Sequence, residues 1–144
     1  MVPGGLPTER QTQRAILAMC GVSFPRVFVT HVPNGAHLAG DAGARFRQIG
    51  ALKGDGLKIG FYDLLLLWPT GWGASLEVKR AKTGKVSPAQ AVMAETYERL
   101  GWPAAVVTSV DEAYMKLREW GAPWSGHDPR MVKLVDAYHP EVRS

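Results

Sequence analysis

The stretch that decides the fold is GFYDLLLLWPTGWGASLEVKRAKTGKVSPAQ, residues 60–90. It sets Asp63 at the head of four leucines and puts Glu77 and Lys79 inside a segment that reads as a strand. FYDLLLLW has the unbroken apolar character expected of a strand covered on both faces, PTGWG turns the chain, and ASLEVKRA supplies the partner strand. Side chains alternate across a strand, so Ser75, Glu77 and Lys79 share one face while Leu76 and Val78 take the other. A hairpin closed around residues 69–73 then brings Asp63 to Glu77, with Lys79 beside them.

Two carboxylates brought together in a partly dehydrated place repel, and a proton or a divalent cation relieves the repulsion. A hard cation such as Mg2+ suits these oxygens, and the Val78 carbonyl adds a further donor. Such a cation binds a scissile phosphate, acidifies a bound water and offsets developing charge; the Lys79 ammonium adds a fixed positive charge for the transition state. The constellation therefore fits metal-assisted phosphodiester hydrolysis. On these residues alone the alternative is a solvated, charged strand face, with Asp63 merely ending a turn.

Working outward, PTERQTQRAILAMC predicts a first helix with Thr8 as cap and Gln11 completing a capping box. RVFVTHV reads as a short strand, PNG at 33–35 as a turn, and 41–53 as a second helix. Beyond the hairpin, a helix over 88–100 stops at Gly101, PAAVVTS is a buried strand, and VDEAYMKLREWG is a helix with Ala113, Leu117 and Trp120 on its apolar face. Asp128 and Pro129 open a last helix to about Tyr138. A hairpin followed by a helical crossover gives an α/β sandwich on a mixed sheet. No repeat, linker or low-complexity tract interrupts 1–144, so one domain is expected, its core about 8–120 and its last helix about 128–138.

The 144 residues, 46% of them apolar, can bury a core of that kind. A single cysteine, Cys20, excludes an internal disulfide and a thiolate zinc site, and the four histidines are too scattered to replace it. No apolar run approaches the ~20 residues of a membrane helix, and the first residues lack a signal peptide's charged and apolar regions. A soluble, cytoplasmic chain is the expectation. The formal charge of +4 suits a polyanionic partner, and the bases cluster: Arg45, Arg47, Lys53 and Lys58 precede the opening stretch, while Lys79, Arg80, Lys82 and Lys85 lie within it.

GFYD, then EVK, then TGKVSPAQ opening a helix resembles the VRR-NUC nuclease family, a branch of the restriction-endonuclease-like superfamily that carries Asp…(Asp/Glu)-x-Lys. HVPNG, LKGDGLKIG and LGWPAAVVTSVDEA extend the likeness over residues 8–120. The resemblance implies a restriction-endonuclease-like α/β/α sandwich and a Mg2+- or Mn2+-dependent DNA endonuclease. By it, Asp63, Glu77, Lys79 and Gln90 are catalytic, and Glu9, Asp63, Glu77 and the Val78 carbonyl hold the metal. One departure stands out: the family usually has Pro where this chain has Tyr62.

For nucleic acid, Lys53, Lys58, Arg80, Lys82 and Lys85 offer phosphate contacts, with His31 and Asn34 in the matching HVPNG segment. Trp72, at the hairpin tip, is the candidate for stacking on an unpaired base. Gln90 also explains itself as the capping-box partner of Ser87, and Glu9 as a first-turn acid favoured by the helix dipole. GDGLKIG misses the dinucleotide-binding spacing and precedes a strand, so that reading falls. The resemblance further implies a homodimer acting on branched DNA such as a four-way junction, in a bacterium or a phage-infected cell. Flap or restriction-like cleavage, or DNA binding without chemistry, are the alternatives, because fold alone does not choose among them.

Overall fold

The computed structural model describes residues 5–33 and 40–131. The element order is α1 (Glu9–Ser23), β1 (Phe28–His31), α2 (Ala42–Gly54), β2 (Leu64–Trp68), β3 (Trp72–Val78), α3 (Pro88–Leu100), β4 (Ala104–Val107) and α4 (Val110–Glu119). The strands form one mixed sheet in the order β1-β2-β3-β4, antiparallel except for the parallel β3-β4 pair. That parallel pair is the crossover through α3 expected from the sequence.

Alternation along the strands decides which helix covers which face. Val29, Leu64, Leu66, Ala74, Leu76, Val78 and Val107 point to one side, where they join Ile16, Met19, Cys20 and Phe24 from α1 and Ala113, Tyr114 and Leu117 from α4. The α1 stripe Thr12, Ile16, Met19, Cys20 and Ser23 has helical periodicity and is buried. Full burial of a Leu, Ile or Phe side chain contributes about 1.5–3 kcal/mol, so this layer holds the sheet in place.

The opposite face carries Ser75 and Glu77, and α3 lies over it. Trp102, just past α3, donates its indole N–H to Ser75 Oγ at 3.0 Å, which satisfies a fully buried hydroxyl. The fold is thus an α/β sandwich, with α1 and α4 on one side of the sheet and α3 on the other.

Two expectations are corrected. The leucine run of β2 is not covered on both faces: Leu64 and Leu66 are buried, but Leu67 is 41% exposed. The cover on that face meets β3 through Gln90 and Trp102, whereas Leu67 lies one strand further out, between Gly73 of β3 and Phe28 of the edge strand β1. The strand also begins at Leu64, leaving Asp63 just ahead of it. The helix expected over 128–138 does begin there: residues 129–131 are helical, and Asp128 accepts the Arg130 N–H at 2.9 Å; the rest of it lies outside the described residues, as does Asn34.

Candidate active site

The register Leu64↔Leu76 puts the residue before β2 beside the residue after Leu76. The Asp63 N–H donates to Glu77 Oε1 at 3.2 Å, and the Val78 N–H donates to Asp63 Oδ2 at 2.9 Å. On its other side Asp63 accepts the Val32 N–H at its carbonyl, 2.7 Å away, which ties it to the end of β1. Backbone geometry therefore fixes both acids before any ligand arrives.

Glu77 Oε2 collects the remaining partners. Lys79 Nζ lies 3.1 Å from it, since residues 77 and 79 share a strand face, and Gln90 Nε2 donates to it at 2.6 Å. Gln90 Oε1 meanwhile accepts the Ser87 N–H at 3.0 Å, and Ser87 Oγ accepts the Gln90 N–H at 3.1 Å. One amide thus closes the capping box of α3 and reaches the acid. The capping role legible in the sequence and the contact with the acid are carried by the same side chain.

Gly60 makes that approach possible. A Cβ there would stand 2.3 Å from the Ala89 carbonyl oxygen, and its φ of +83° lies in the region that disfavours side chains. No other residue lets the chain pass so close to the first turn of α3. Tyr62, where the resembling family has Pro, retains its N–H and donates it to the Tyr97 hydroxyl at 3.3 Å, with the two rings edge to face at 4.9 Å. The ring stack and this hydrogen bond hold the approach to Asp63 that a proline would hold by its fixed φ. The sequence marks Gly60 as a tight bend or a close backbone approach but does not name Ala89 as what it approaches, and Tyr97, a tyrosine inside a helix, carries no local mark of a distant contact.

The charge balance is equally specific. Glu77 is 2% exposed, and burial together with the Asp63 charge pushes its carboxyl up to about 7, against the opposing pull of Lys79. Burial and the Glu77 charge also raise the Tyr62 hydroxyl. Two acids are held in contact at a cost that a cation would relieve.

A solved structure described as a VRR_NUC domain protein superposes on this chain with a TM-score of 0.60 at 18% identity, covering 80% of this chain and 88% of that one. This chain has the VRR_NUC fold. No family model and no curated protein matches the sequence.

Within the VRR_NUC fold, the donor set can be tested against a divalent metal. Among the described residues no cluster of three or more His, Cys, Asp or Glu gathers around one point. Mg2+ does not require one: it keeps several waters and is held by one or two carboxylates together with substrate phosphate. Asp63 and Glu77 supply those two, both already oriented, with Glu77 under repulsion from its neighbour. Glu9, in the first turn of α1, borders the same cavity as Asp63, and its Oε1 lies 3.4 Å from the Arg80 N–H. The donors fit a hard cation.

The basic residues distribute unevenly. His31 borders the cavity with Glu9 and Asp63. Arg80 is tied back to the segment before α1, its guanidinium donating to the Leu6 carbonyl at 3.1 Å. Lys82 and Lys85 are exposed on the loop after β3, and Lys53 and Lys58 are exposed at the end of α2 and just after it. Trp72 is not near the acids. It pairs with Trp68 at the opposite end of β3 from Glu77, roughly 17 Å away at about 3.4 Å per residue, because the turn and the acids occupy the two ends of the hairpin.

Proposed function

We propose that this chain is a Mg2+- or Mn2+-dependent DNA endonuclease that hydrolyses phosphodiester bonds. The observation that carries the reading is the convergence on Glu77 of Asp63, Lys79 and Gln90, from three separate segments, at a buried strand end open on its Asp63 side to a cavity. A surface salt bridge has no need of this construction, since exposed pairs contribute little.

In this reading Asp63, Glu77, Glu9 and the Val78 carbonyl hold the cation. When bound, it neutralises the scissile phosphate and acidifies the attacking water. The chain's own groups do the rest. Lys79 places a fixed positive charge beside the phosphate, worth most in a dehydrated site. Gln90, clamped by Ser87, keeps Glu77 Oε2 in one orientation. The Val78 N–H does the same for Asp63 Oδ2.

The substrate in this proposal is branched DNA, a four-way junction, cut by a homodimer. One constellation of this size cuts one strand, a junction needs two incisions, and two-fold symmetry is the commonest way to double a site. His31, Asn34, Lys53, Lys58, Arg80, Lys82 and Lys85 are the proposed phosphate contacts. The test is incubation of the purified chain with plasmid, flap and four-way junction DNA, in Mg2+ and in chelator. Metal-dependent, paired cuts in the junction are expected, with a particle of twice the 15.7 kDa chain mass in light scattering. Cutting that persists in chelator contradicts the reading.

A further inference from the structure

The cavity bordered by Asp63 has a basic wall on α1. It encloses about 740 Å³ and runs from Glu9 and Asp63 along the exposed side of α1, past Arg10, Gln13 and Arg14, to His31 at the end of β1. Arg10 and Arg14 are exposed, and neither is ion-paired with a carboxylate among the described residues. They stand one helical turn apart on one face, about 6 Å along the axis, a spacing close to that of neighbouring phosphates on one strand. Between them Gln13 Nε2 donates to His31 Nδ1 at 3.2 Å, joining α1 to the edge of the sheet. With Nδ1 accepting, the ring proton sits on Nε2 and offers a further donor.

The groove is therefore graded in charge, acidic where the cation would sit and cationic away from it. A phosphate chain can be followed along it: the acids repel an anion except where a cation intervenes, while the arginines attract one throughout. Arginine is also the side chain whose planar fork matches phosphate oxygens.

We propose that this groove is the track of the strand to be cut, with Arg10 and Arg14 each binding one backbone phosphate next to the scissile one and the Gln13–His31 pair fixing the wall between them. The proposal rests on the nuclease reading for its direction, but its test does not need cutting. A short fluorescein-labelled single-stranded DNA is titrated with the full chain in chelator across a salt series, and binding is followed by anisotropy. Each phosphate contact on a single strand contributes about 0.7 to the slope of log affinity against log salt, so the double variant Arg10→Gln/Arg14→Gln should lower that slope by about 1.4. Arg99→Gln, at the far end of α3 from Gln90, should leave it unchanged. The double variant should keep the wild-type Mn2+-induced thermal shift, which separates a lost track from a lost metal site. An unchanged slope, or wild-type binding without salt dependence, overturns the track. A lowered slope in a chain that cuts no DNA upholds the track and removes the nuclease reading instead.

Discussion

Asp63 and Glu77 hold each other through the backbone in both directions: the Asp63 N–H donates to Glu77 Oε1 at 3.2 Å, and the N–H of Val78, next to Glu77, donates to Asp63 Oδ2 at 2.9 Å. Neither side chain can turn away without leaving a part-buried donor unsatisfied, at about 1–3 kcal/mol. The pair is thus preorganised, and the repulsion between its charges is built into the fold.

That repulsion has a pH signature. Glu77 is pushed up to about 7 by burial and by Asp63, so the folded chain keeps this proton where the unfolded chain has lost it. Its contribution to stability is full below about 4.5 and is lost as pH rises through about 7, an effect on the order of 3 kcal/mol at 1.36 kcal/mol per unit. Urea unfolding in chelator, wild type against Glu77→Gln, should show the wild type losing ground over that window. Parallel curves would place Glu77 at an ordinary carboxylate value. Added Mg2+ should stabilise the wild type increasingly over the same rise, because the metal requires the deprotonated acid.

Gly60 offers a structural test of the Gln90 contact. Gly60→Ala should lose about 1–3 kcal/mol and displace the first turn of α3, since its Cβ would meet the Ala89 carbonyl oxygen at 2.3 Å. Gly56→Ala, with φ +105° and nothing within 4 Å, carries the backbone strain without the collision. Cleavage by Gly60→Ala should therefore fall well below that of Gly56→Ala at matched folded fraction. Equal rates would detach Gln90 placement from activity.

Lys79 separates rate from metal binding. Its ammonium touches Glu77 Oε2 at 3.1 Å and remains 14% exposed, placed to meet a phosphate. Lys79→Ala should cost about a hundredfold or more in single-turnover cleavage while the Mn2+-induced thermal shift persists. A near-normal rate at saturating enzyme would make Lys79 a structural counter-charge to Glu77 alone.

Much of this was legible in the chain because the informative signals are local. Caps at Thr8 and Ser87 mark helices that the structure contains, and the hairpin register follows from the turn and from the period of two. The meeting of Asp63, Glu77 and Lys79 needs only that hairpin. What was illegible is set by packing between distant segments. The exposure of Leu67 depends on how far the α3 layer extends across the sheet, and the isolation of Trp72 on which end of β3 the acids occupy. The wall of Arg10 and Arg14 depends on where α1 crosses the sheet edge, and the pairing of Gly60 with Ala89 on the approach of α3. None of these distances has a sequence pattern of its own.

The measurement that bears most directly on the whole account is single-turnover cleavage of a four-way junction in Mg2+ by wild type, Asp63→Asn and Glu77→Gln, with junction binding measured alongside in chelator. Both variants keep an oxygen acceptor for the backbone donors and remove one charge, so folding should survive. The account expects metal-dependent cutting by the wild type and cutting at background by both variants, with binding retained in all three. Wild-type rates from either folded variant would contradict the assignment of Asp63 and Glu77 as the catalytic acids.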